Sequence, residues 1–149
     1  MNNKYMDIAY KEAQKAFKNN EVPVGCVIVL NDKILAKSYN KKVLKGDVCA
    51  HAEVNAIKKA AKKIGDWRLD NMEMYITLEP CPMCASVIQQ SRIKKIYIGT
   101  KSSFKSLSEI DQKILNNKEF YHQVEVQYIN DKRCSEILSE FFKLQRIKK

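Results

Sequence analysis

Glycine and proline are scarce in this chain, four and three among 149 residues, and no glycine follows Gly99. With no Gly-, Ser- or Pro-rich tract, no internal repeat and no low-complexity segment, residues 1–149 read as a single domain. That length buries a real core without covalent staples. No apolar run approaches the ~20 residues that a membrane-spanning helix needs, so no membrane partner is expected. The five cysteines are odd in number and no secretory pattern accompanies them, which argues against a disulfide scaffold and for a reducing cytoplasm. Arginine is also rare. Only Arg68, Arg92, Arg133 and Arg146 stand among 27 basic residues, which face 17 acidic ones for a formal net charge of +10.

Such a balance suits a protein that binds a polyanion, nucleic acid first among them. Lysines spread over every segment are equally what a solvated surface carries. The C-terminus concentrates the signal: Phe141, Phe142, Lys143, Arg146, Lys148 and Lys149 set aromatics beside cations on one terminal helix, able to stack bases and neutralise phosphates. A core-facing phenylalanine pair with a basic tail is the competing reading.

Periodicity supplies the elements. Tyr5, Ile8, Ala9, Ala13, Ala16 and Phe17 make one apolar helix face. The continuous apolar run 25–30 reads as a strand, Asn31-Asp32 as a turn, and 33–39 as the second arm of a hairpin. From Ala50 to Ile64 strong helix formers repeat at helical spacing and Gly65 is a natural stop. A strand over 74–78 is broken by Pro80, and Pro82 fits the first turn of a helix running to Ser91. Strands at 95–99 and 124–129 and a helix over 131–146 complete the chain. Residues 101–117 carry the least pattern. Five strands with helices layered around a mixed sheet give an α/β domain.

The chemistry sits in His51-Ala52-Glu53 and Pro80-Cys81-Pro82-Met83-Cys84. One imidazole and two thiolates, His51, Cys81 and Cys84, suit a tetrahedral Zn²⁺ whose fourth position stays open for water, the catalytic arrangement. Taken alone, Cys-x-x-Cys would serve a redox dithiol equally well. The upstream His-x-Glu and the lack of a Trp-Cys-Gly-Pro context favour metal. A structural zinc would want a fourth ligand, yet Cys26, Cys49, Cys134 and His122 form no second ligand pair. Zinc lowers the pKa of its bound water from about 15.7 to about 7. Attack on an amidine-like ring carbon also needs protons delivered to the ring nitrogen and to the departing amine, and Glu53 is the candidate shuttle. Cys81 and Cys84 fall at a predicted helix N-terminus, where backbone N–H groups and the dipole favour thiolate.

These residues resemble the cytidine deaminase superfamily, and within it the bacterial tRNA-specific adenosine deaminases. Glu21-Val22-Pro23-Val24-Gly25, Trp67-Arg68-Leu69, Thr77-Leu78-Glu79-Pro80, Ser91-Arg92-Ile93 and Phe141-Phe142 keep that family's order and spacing. The resemblance implies a three-layer αβα sandwich with a five-stranded mixed sheet, a homodimer, one zinc per chain, and conversion of the wobble adenosine of a tRNA anticodon stem-loop to inosine. It also implies that Asn40 bonds the target base or ribose and that Val24 and Ala50 line the pocket; Phe142 and Arg146 of the aromatic and basic C-terminal helix are the candidates for holding flanking RNA. The family's glycine-rich loop is replaced by Phe104-Lys105-Ser106-Leu107-Ser108, and Asp47-Val48-Cys49-Ala50 stands where Asp-Pro-Thr-Ala is usual. A loop that needs glycine geometry cannot be copied by these residues. The alternative is therefore a deaminase of a free base or nucleoside such as guanine, cytosine or cytidine; a non-catalytic zinc or RNA-binding module disagrees with the intact Glu53.

Overall fold

The apolar run Gly25–Leu30 forms an interior strand, β1, because a segment without polar alternation is satisfied only with both faces covered. The computed structural model describes residues 3–148, in which α1 (Asn3–Lys18) leads into β1. There follow β2 (Lys33–Tyr39), α2 (Lys42–Lys45), α3 (Ala52–Ile64), β3 (Glu73–Leu78), α4 (Pro82–Gln90) and β4 (Lys95–Thr100). The chain ends with α5 (Leu107–Leu115), β5 (Glu125–Tyr128) and α6 (Lys132–Lys148). Lys149 of the predicted basic tail lies outside the described residues.

The strand order is β2-β1-β3-β4-β5. β1 is antiparallel to β2 and β3, whereas β3, β4 and β5 run parallel, so the sheet is mixed as predicted. Asn31 and Asp32 take φ of 49° and 63° to turn the hairpin, a left-handed conformation that short polar side chains tolerate best after glycine. Alternation along the strands then deals side chains to two layers of helix. Cys26, Ile28, Met74, Ile76, Ile96 and Ile98 face α3, α4 and α5, and Val27, Val29 and Tyr75 face α1 and the first turn of α6. The result is a three-layer αβα sandwich. Among the described residues no helix is long and apolar enough to cross a membrane.

Two helices depart from the sequence reading. α2 is a single turn, and α5 occupies the stretch that showed least pattern. Its buried positions are Leu107, Asp111 and Leu115, a true i, i+4, i+8 stripe with an aspartate in the middle, which erases the apolar signal. The helix over 50–64 also starts later, at Ala52, with His51 as its extended N-cap.

Gly25 sets how closely α1 packs on the sheet. A Cβ there would lie 1.9 Å from the Ala9 carbonyl oxygen and 2.6 Å from the Ala13 nitrogen. Overpacking against backbone costs about 1–3 kcal/mol or more. Gly25→Ala is expected to lower the thermal midpoint by about 4–10 °C in scanning calorimetry; an unchanged midpoint would mean that α1 does not approach β1 this closely.

Candidate active site

The C-terminal edge of the parallel strands collects the polar side chains, as the ends of open α/β sheets do. β3 turns through Pro80 into α4, β2 leads by way of α2 into α3, and antiparallel pairing brings the start of β1 to the same edge. His51 is the N-cap of α3 and Cys81 the N-cap of α4. Both are extended, at φ −76°, ψ 155° and φ −72°, ψ 168°, and neither side chain caps its own helix. Two helix starts thus present free donor atoms to one point.

His51 Nδ1 lies 3.7 Å from Cys81 Sγ and 3.4 Å from Cys84 Sγ. All three donor atoms fall within 4.8 Å of one another. Tetrahedral zinc, with bonds of about 2.3 Å to sulfur and about 2.0–2.1 Å to nitrogen, would set each N···S pair about 3.6 Å apart. The cluster fits that ion. Cys81 is held down to about 4, first by a hydrogen bond from Cys84 and then by one from His51, against burial. The same contacts raise His51 and Cys84. One sulfur is thus already favoured as thiolate, the ligand form.

Glu53 follows in the first turn of α3, only 3 % exposed. Burial pushes its carboxyl up to about 7; its own backbone N–H opposes this, the Cys81 sulfur adds to it, and His51 and a Cys84 hydrogen bond oppose it. A carboxyl poised near neutrality can both accept and return a proton. The entry into α3 is fixed by two asparagines. Asn40 Oδ1 accepts the Ala52 N–H at 2.8 Å and its Nδ2 donates to the Val22 carbonyl at 3.0 Å. Asn55 Nδ2 donates to the carbonyls of Tyr39 and Ala50 at 3.1 and 3.2 Å.

Residues 1–100 match the cytidine and deoxycytidylate deaminase zinc-binding region. The tRNA-specific adenosine deaminase of Bacillus subtilis (strain 168) is 40% identical over 146 residues, covering 97% of this chain and 91% of that protein. The chain belongs to this zinc-binding deaminase family. A solved structure from work on A-to-I editing by tRNA:A34 deaminases aligns with a TM-score of 0.85 at 33% identity, over 92% of this chain and 100% of that one. A guanine deaminase from Bacillus subtilis aligns at 27% identity with a TM-score of 0.66, over 98% of this chain and 95% of that one.

In this deaminase a cavity of about 500 Å³ opens onto His51, Glu53 and Cys81. Val24 and Asn40 line it. Ala50 does not: it is buried behind the wall, its carbonyl accepting the Lys41 N–H and the Asn55 amide. Nor do Phe142 and Arg146, which line a neighbouring cleft of about 510 Å³ with Lys101 and Ser102. Phe141 reaches the cavity instead, packed edge-on against Phe17 at 6.0 Å. His122 is remote and structural, its Nε2 2.7 Å from the Ile93 carbonyl.

Two buried glutamates on the cavity wall were not singled out from the sequence. Glu21 accepts the N–H groups of Val43 and Leu44 at 3.0 and 2.6 Å, pinning α2. Glu79 accepts the Ser102 N–H at 3.2 Å and the hydroxyls of Ser108 and Tyr128, both at 2.6 Å. Their only signal was a place inside family motifs. Asp111 is different again: 3 % exposed, without a hydrogen-bond partner on either oxygen, and pushed up to about 7 by burial and then by Glu79.

Two expectations follow from this geometry. Zinc-loaded protein should carry one ion per chain by elemental analysis, and Cys84→Ala should lose stoichiometric metal; full retention would remove Cys84 from the ligand set. Asp111 has a folded pKa above the unfolded carboxyl range, so its stabilising contribution is complete in acid and lost as pH rises through about 7. Asp111→Asn should therefore gain thermal stability relative to wild type between pH 5 and pH 8; a pH-independent difference would show that Asp111 ionises freely.

Proposed function

We infer that this chain hydrolyses the wobble adenosine of a tRNA anticodon to inosine, with release of ammonia. The observation that carries this reading is the His51–Cys81–Cys84 cluster with buried Glu53 at the floor of one cavity, in a chain 40% identical to a protein named tRNA-specific adenosine deaminase. Zinc bound there supplies the Lewis acidity that makes water a nucleophile at neutral pH. Glu53 takes a proton from the attacking water and returns it to N1 of the purine. The same carboxylate then takes the proton of the new C6 hydroxyl and passes it to the 6-amino group, so that the C6–N bond breaks, ammonia departs and C6 becomes a carbonyl.

An adenosine inside a duplex could not reach Glu53, whereas a splayed loop nucleotide can. Val24 packs beside the base. Asn40, with both ends of its amide committed to backbone, acts by fixing the start of α3. Phe142, 45 % exposed, with Arg146 and Lys101 in the adjoining cleft, offers a stacking face and cations to the flanking nucleotides. Homodimer formation and cytoplasmic residence belong to the same reading. The likeness to a guanine deaminase favours a second one, hydrolysis of a free base or nucleoside.

Zinc-loaded protein is expected to form inosine and ammonia from an anticodon stem-loop with adenosine at the wobble position and to leave free guanine, cytosine and cytidine unchanged. Turnover of the small molecules alone would reject the tRNA substrate. Glu53→Gln should keep its zinc and lose roughly 10²–10⁴-fold in kcat/KM, the usual scale of general acid–base catalysis.

A further inference from the structure

One wall of the cavity comes from residues 101–107, which run into the stretch that replaces the family's glycine-rich loop: Ser102 and Leu107 both line it. That segment has no glycine, and Phe104 within it points to solvent. Neither backbone permissiveness nor apolar burial of Phe104 holds it in place. Buried Leu107 at its far end and the Ser102 hydroxyl, which accepts the Phe104 N–H at 3.1 Å, act within it, and one carboxylate ties it to the rest of the site. Glu79 takes one donor from the segment itself, the Ser102 N–H, one from the first turn of α5, the Ser108 hydroxyl, and one from the end of β5, the Tyr128 hydroxyl. Its own N–H donates to the Thr100 carbonyl at 2.9 Å, closing the base of the segment. Glu79 also stands two residues before Cys81, so one buried residue joins the ligand-bearing turn to the opposite wall. On the other side of the cavity Glu21 pins α2 through backbone N–H groups alone. The Glu79 side depends on hydroxyls, which substitution can remove one at a time.

We propose that Glu79, keyed by Ser108 and Tyr128, is a positioning residue that sets the distance from the metal-ligating turn to the 101–107 wall and thereby the fit of the target nucleotide. The proposal rests on the deaminase reading of this cavity. Hydroxyls bonded to a charged acceptor make the stronger class of hydrogen bond, so loss of both should be felt by the wall before it is felt by the rest of the fold.

The test uses Ser108→Ala, Tyr128→Phe, the double variant and Ser108→Thr, which leave Glu79, Glu53 and the three ligands themselves unaltered. Expected results are unchanged zinc content, a KM for the stem-loop raised about tenfold or more in the double variant with kcat nearly constant, and near-wild-type KM in Ser108→Thr. Amide hydrogen exchange over residues 102–107, read without substrate, should quicken in the double variant and not in Ser108→Thr. Unchanged exchange and KM in the double variant would overturn the proposal, as would activity falling only in step with lost zinc or lost folded protein. Should the wild type fail on the stem-loop, the substrate reading falls, and the exchange experiment still decides the role of Glu79.

Discussion

Everything at the sheet edge depends on two helix starts meeting at one point. His51 and Cys81 are both N-cap residues, and each gives up the capping bond that such a position usually makes. For α3 the lost cap is replaced from outside, by Asn40 Oδ1 on the Ala52 N–H. For α4, Pro82 removes one donor that would otherwise need a partner. The fold thereby frees an imidazole and a thiolate for a metal without leaving either helix start unsupported. The parallel β3–α4–β4 crossover and the β2–α3 connection fix the approach, and packing of α3 and α4 on the same sheet face makes it rigid.

Four acids buried around this point differ in what satisfies them, and the difference separates their roles. Glu21 and Glu79 receive two and three donors respectively, so each is a structural anchor. Glu53 is left with its own backbone N–H and a weak sulfur contact, too little to offset burial, and its carboxyl rises toward neutrality where proton transfer is efficient. Asp111 has no partner at all, and burial favours its neutral form. Identical or nearly identical side chains become anchor, near-neutral carboxyl and silent acid according to the donors that reach them.

The sequence exposed these features unequally. The strand Gly25–Leu30 and its hairpin partner were readable to the residue, because an unbroken apolar run and a polar turn are local signals. His51, Glu53, Cys81 and Cys84 were readable as a set because metal chemistry constrains residue type and spacing together. α5 was not, since Asp111 interrupts its buried stripe. Glu21 and Glu79 were passed over because burial of a lone glutamate is a property of its neighbours in space, and their partners lie 22 to 49 residues away. His51 was drawn into the helix by the helix formers around it, although its work requires an extended backbone just outside.

The two adjacent phenylalanines of α6 show how far residue type alone carries a reading. Successive helical residues point about 100° apart, so Phe141 and Phe142 cannot share an environment even though their rings touch edge-on at 5.5 Å. The core-facing interpretation therefore describes Phe141 alone, and Phe142 is left 45 % exposed. Phe141 closes the cavity against Phe17, and Phe142 opens onto the next cleft beside Arg146. α6 is thus the partition between two compartments, one holding the hydrolytic groups and the other a cation and an aromatic face. On the function inferred above, a nucleotide chain crossing that partition would place one base in each. In that inferred function the C-terminal helix would space neighbouring nucleotides in addition to neutralising their phosphates.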